Sequence, residues 1–88
     1  MLAAYQGHRD LIELFLHNGA DINYRNKDGS TALIYATYQK HAECARILID
    51  NKADVAVKDS KGASAMYWAK KHKMDDIVDI ISKLSIQV

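Results

Sequence analysis

A histidine, a glutamate and a cysteine stand close together at His41, Glu43 and Cys44. Such side chains could make a cysteine nucleophile with its base, or part of a metal site. A metal site needs three or four ligands at zinc-like spacing, and the sequence offers no such cluster. It has no glycine-rich phosphate loop and no paired catalytic groups either. Cys44 also lies 33 positions from both Leu11 and Ile77. That offset assigns it to a core slot, where a free cysteine behaves as a small hydrophobe. His17 and His72 are solitary. Catalysis is not expected, and neither a cofactor nor a metal is.

Residues suited to recognition are easier to find. Tyr5 and Tyr38 stand 33 apart, Lys71 holds the same slot one interval later, and Gln6, Gln39 and His72 run beside them. Surface tyrosines are common contact anchors. Tyr35 and Trp68 share the slot of Leu2, where packing is the expected role. Lys70, Lys71, His72 and Lys73 form a basic run, favourable at the negative end of a helix dipole. Asp75, Asp76 and Asp79 follow directly and nearly cancel its reach at physiological salt. Ile86-Gln87-Val88 has the hydrophobic-x-hydrophobic form of a terminal ligand for a PDZ domain. That form is short and frequent by chance.

The elements that position these residues follow from the interval of 33. Ala3, Ala36 and Ala69 fall in line, as do His8 and His41, and Leu14, Ile47 and Ile80. A fixed period of this size signals a stacked repeat array instead of one globular core. Residues 2–6 read as the back half of a helix closed by Gly7, and residues 9–18 as a second helix with Leu11, Ile12, Leu14 and Phe15 at helical spacing. Residues 20–30 read as an extended hairpin with Asp28-Gly29 at its tip. Thr31 is placed to cap a helix over 31–39. Later helices are expected over 64–72 and 75–83. At the helix-ending positions Gly7 is replaced by Lys40 and Lys73, and Gly19 by Lys52. A lysine that keeps the left-handed geometry there carries about 1 kcal/mol of strain.

Asp28-Gly29-Ser30-Thr31-Ala32-Leu33, Gly7-His8, Leu14-Phe15-Leu16 and Gly19-Ala20-Asp21-Ile22-Asn23 together resemble the ankyrin repeat. The family pattern runs D-G-x-T-P-L-H, then A-A, G-H, L-L and G-A-D-V-N. The resemblance covers about residues 2–82. It implies an all-α solenoid of stacked helix-turn-helix units joined by β-hairpin loops. Departures are visible: the family's Pro is Ala32 and Ala65, and its His is Ile34 and Tyr67. On this reading residues 1–25 are a partial repeat, 26–58 a complete one, 59–84 a C-terminal capping repeat and 85–88 a tail. Lys70 and Ser82 replace residues that would otherwise face a next repeat, which suits a cap. His41 matches the structural Gly-His position. Asn23 lies in what looks like the segment hydroxylated on asparagine in some ankyrin proteins, although a hydrogen bond within the hairpin loop is the favoured role for it.

Lys and Arg total 12 against 11 Asp and Glu, so the charge footprint of a nucleic-acid binder is missing. No apolar run reaches the roughly 20 residues that span a bilayer. A lone cysteine permits no internal disulfide, and cytoplasm or nucleus is the expected setting. The expected function is a non-catalytic protein-binding module, monomeric or part of a longer array. The resemblance places Tyr5, Gln6, Tyr38, Gln39, Lys71 and His72 on the concave helix face. Tyr24, Arg25, Lys27, Asp28 and Ser30 mark the first loop tip, and Lys58, Ser60 and Lys61 the second. A structural spacer in a multidomain, even enzymatic, parent is the alternative.

Overall fold

The computed structural model describes Gly19 and residues 21–86. Within them lie four helices: α1 (Ala32–Tyr38), α2 (Ala42–Asp50), α3 (Ala65–Lys71) and α4 (Asp75–Ile86). The helices expected over 2–6 and 9–18, with Tyr5 and Gln6, fall outside the described residues, as do the last two residues of the Ile86-Gln87-Val88 motif.

The first helix of each unit starts from a hydroxyl cap. The Thr31 side chain accepts from the Ile34 amide at 3.3 Å, and Ser64 accepts from Tyr67 at the same distance. Each hydroxyl satisfies one of the amides that a helix start leaves unpaired. Three helices end alike. Lys40, Lys52 and Lys73 have φ of 65°, 71° and 57°. Around each, the following amide reaches back to the third-last helical carbonyl: His41 to Ala36, Ala53 to Leu48 and Met74 to Ala69, at 2.8–3.0 Å. The lysine amide itself bonds Thr37, Ile49 or Lys70. This is the Schellman arrangement, usually built on glycine. The expected left-handed lysines are therefore present, and their charge at the negative helix end offsets part of the strain.

The helices stack pairwise: α1 packs on α2 and α3, α3 on α4, and α2 on α4. Each unit thus touches its neighbour along the array, as in a solenoid. Ala36 and Ala69 are fully buried at one slot, where small side chains let first helices approach. Leu33, Cys44, Leu48, Ile77 and Ile81 fill the seam between first and second helices. Cys44 and Ile77, equivalent by the interval of 33, are both buried, as expected of a core slot. Thr37 is buried too; its hydroxyl donates to the Leu33 and Ile34 carbonyls. At the equivalent place Lys70 is exposed, and Ser82 is more open than Ile49.

Two differences from the sequence reading stand out. The last helix runs on to Ile86 instead of ending at Lys83, so it takes in part of the segment expected as a tail. An i,i+4 pair, Asp79 to Lys83 at 3.1 Å, lies along its exposed side. The connections are also less strand-like than hairpins: among the described residues the pairing is one antiparallel bridge, Lys58 to Ser64. The reason is local. The Asn26 side chain accepts from the Asp28 and Ser30 amides, and Asp59 accepts from Lys61 and Ala63, all at 2.9–3.0 Å. Amides captured by the turn are not free for a ladder.

Candidate functional site

A groove of about 370 Å³ opens between the loop tips and the first helices of the two units. Its helix wall is Ile34, Tyr35, Tyr38 and Trp68; its loop wall is Asp28, Ser30, Asp59, Ser60 and Lys61. Such a volume is at the small end of ligand pockets, enough for one or two side chains of a partner.

The loop wall holds its shape through bonds between successive loops. The Asp54 amide donates to Asn23 Oδ1 at 2.9 Å, Arg25 Nη2 donates to the Lys58 carbonyl at 2.8 Å, and the Ser60 amide donates to the Asp28 carbonyl at 2.9 Å. Arg25 Nε also donates to the Gly29 carbonyl at 3.1 Å. Charge-assisted bonds of this kind are the stronger class. Gly29 has φ +75°, and a Cβ there would stand 3.0 Å from the Ser60 amide nitrogen and 3.1 Å from Arg25 Nη2. Only glycine leaves the two loops room to close.

The helix wall is an aromatic run centred on Trp68. Tyr38 meets Trp68 edge-to-face, with centroids 4.8 Å apart and planes at 77°. Tyr67 also meets Trp68 edge-to-face, at 5.0 Å and 82°. His72 stacks on Trp68 at 5.8 Å and 18°, and Tyr35 meets Tyr38 edge-to-face at 6.3 Å. Lys71 Nζ lies 5.3 Å from the Trp68 centroid and 5.7 Å from that of Tyr67. Edge-to-face pairs are favoured by the ring quadrupole, whose negative face also attracts the ammonium. Tyr38 remains 48% exposed at the mouth of the groove.

Of the residues singled out in the sequence, Asp28, Ser30, Tyr38, Ser60 and Lys61 come together in this groove. Several others do different work. Ser30, expected at a surface tip, is 5% exposed and is the buried member of the loop wall. Arg25 is tied to two backbone carbonyls and does not line the groove. His72 is half-buried on Trp68, and its Nε2 is buried with no hydrogen bond among the described residues. Lys71 is exposed, with its ammonium over the Tyr67 and Trp68 rings. Asn23 bonds across to the next repeat, not within its own loop, and no account of hydroxylation follows from that placement. Tyr24, Lys27, Gln39 and Lys58 are exposed outside the groove lining.

Trp68, Tyr35, Ile34 and Asp59 also line the groove, although the sequence does not single them out for binding. The signal existed for the two aromatics: both precede the Tyr38 slot by three positions, one helical turn along the same face. Read as core packing, they were not connected to it. Around His41, Glu43 and Cys44 there is no group of three metal-ligating side chains among the described residues, and Cys44 is buried. Nor is any described helix long and apolar enough to cross a membrane.

A family model described as ankyrin repeats, in three copies, matches residues 1–88. Over 34 residues, 39% of this chain, the sequence is 53% identical to a probable E3 ubiquitin-protein ligase, XBOS33, of Oryza sativa subsp. japonica, and covers 6% of that protein. It is likewise 53% identical over 34 residues to the E3 ubiquitin-protein ligase XBAT33 of Arabidopsis thaliana, covering 39% of this chain and 7% of that one.

Proposed function

The chain belongs to the ankyrin repeat family, and from that premise we propose that it is a non-catalytic module that grips a partner protein in the groove between its loop tips and first helices. Ankyrin repeats generally serve in protein interaction, and a fold of this kind carries function in its surface residues. The observation that carries the reading is the half-exposed Tyr38 ring held edge-on against Trp68 above the groove. A large aromatic already fixed by a neighbour loses little freedom on binding, which is what makes a contact anchor effective.

Affinity capture from cytosolic and nuclear extracts, followed by titration of the captured protein against wild type and Tyr38→Ala, tests this. Binding should weaken by roughly thirtyfold, the cost of truncating an anchor worth about 2 kcal/mol. A captured partner indifferent to Tyr38→Ala would sink the groove reading and favour the alternative of a structural spacer. The two plant ligases add nothing more specific. Their similarity extends over little more than one 33-residue unit and a few per cent of their length, so it speaks for the repeat and not for ubiquitin transfer.

A further inference from the structure

Resting on the groove reading, we infer that the side chain it accepts from a partner protein is an arginine. Three features of the groove converge on that chemistry. The helix wall offers Tyr35, Tyr38 and Trp68, rings whose faces and edges suit a flat cation. The lining also carries two carboxylates, Asp28 and Asp59, against one ammonium, Lys61, a net charge of −1. Asp59 is partly occupied, since its Oδ1 already accepts two amides of its own turn. The Asp28 carboxylate makes no hydrogen bond or ion pair among the described residues; that residue is held only by its backbone, to Asn26 and Ser60. An exposed, unpaired carboxylate lining the same groove as aromatic rings matches a guanidinium, which can stack and form a bidentate fork at once.

The protein supplies an internal precedent. Lys71, one interval beyond Tyr38, lays its own ammonium over Trp68 and Tyr67, so these rings accept a cation where one is within reach. Among the described residues both arginines are already engaged, Arg25 by two carbonyls and Arg46 by Asp76 at 3.5 Å, so neither is a ready source from a second copy.

Trp68 is the single tryptophan of the chain, and its emission reports on the groove directly. The experiment titrates the full chain with four amidated, acetylated pentapeptide libraries whose central residue is fixed as Arg, Lys, Leu or Glu. The Arg library should shift Trp68 emission with a midpoint at least fivefold below the Lys library. Asp28→Asn, whose backbone bonds are unchanged, should raise the Arg midpoint about tenfold while circular dichroism stays native. Tyr38→Leu should raise it as well. Equal midpoints for Arg and Lys, or indifference to Asp28→Asn, overturn the guanidinium assignment. A Leu or Glu library that binds best, with loss in Tyr38→Leu, overturns it too and leaves the groove reading standing. No response to any library, with a captured partner that also ignores Tyr38→Ala, removes both. A Trp68 emission maximum that shifts with protein concentration alone would place a second copy in the groove and likewise overturn the inference.

Discussion

Lys40, Lys52 and Lys73 hold the left-handed backbone that glycine adopts most readily, and the strain is local enough to measure one residue at a time. Lys40→Gly and Lys52→Gly relieve about 1 kcal/mol of steric strain each, partly offset by the greater freedom of glycine in the unfolded chain. Each should therefore raise the urea midpoint by the equivalent of roughly 0.5 kcal/mol. A fall in both midpoints would mean that the lysine side chains stabilise the helix ends more than the strain costs. Glycines permit a sharper comparison. Gly29 and Gly62 have nearly equal φ, +75° and +82°, yet only Gly29 has neighbours within 4 Å of a would-be Cβ. Both alanine variants carry the left-handed penalty; Gly29→Ala should lose at least about 1 kcal/mol more, because the added carbon pushes two loops apart. Equal losses would show that the loops separate freely. Arg25→Ala should act on stability before affinity, lowering it by about 1 kcal/mol, since an exposed charge-assisted bond gives less than a buried one.

Among the elements, α2 should be the slowest to exchange its amides, because α1 and α4 cover it and Cys44, Ala45, Leu48 and Ile49 are all buried. The exposed Lys83 and Leu84 region of α4 should exchange faster, by local fraying. Hydrogen exchange read by mass spectrometry checks the ranking, and α4 outlasting α2 would contradict it. At this scale the sequence was most informative. The core slot of Cys44 and the lysine turns are legible from what stands 33 residues away, and the cap at Thr31 from its own hydroxyl. Register identifies a slot, and a slot on a helix faces one way. Loop side chains lack that constraint. Nothing in the spacing told Arg25 or Asn23 to reach across to the next unit, or Ser30 to turn inward. Trp68 packs against the core as its slot implies and also lines the groove, because a half-buried aromatic has surface enough for both. α4 runs past Lys83 because Ser85 and Ile86 carry no stop signal such as glycine or proline.

For the molecule as a whole, near-neutral charge makes shape and aromatic contact the expected source of affinity, with charge acting on the approach. Lys27→Ala should leave partner binding nearly unchanged at 0.15 M salt and alter the association rate at low salt, since exposed charges beyond a Debye length are screened. Surface plasmon resonance at two ionic strengths checks this; a large loss at 0.15 M salt would move the contact out to the loop tips. The bonds between loops carry a further meaning. They join residues 31 to 33 positions apart, Asn23 with Asp54 and Arg25 with Lys58. The length of chain between bonded partners is thus itself fixed by structure. One extra residue inside α1 or α2 would rotate everything after it by about 100° and carry those partners out of reach. A duplicated block of 33 residues brings its own helices and its own partners. In inheritance, then, a gene of this kind is more easily lengthened by a whole repeat than by a single codon.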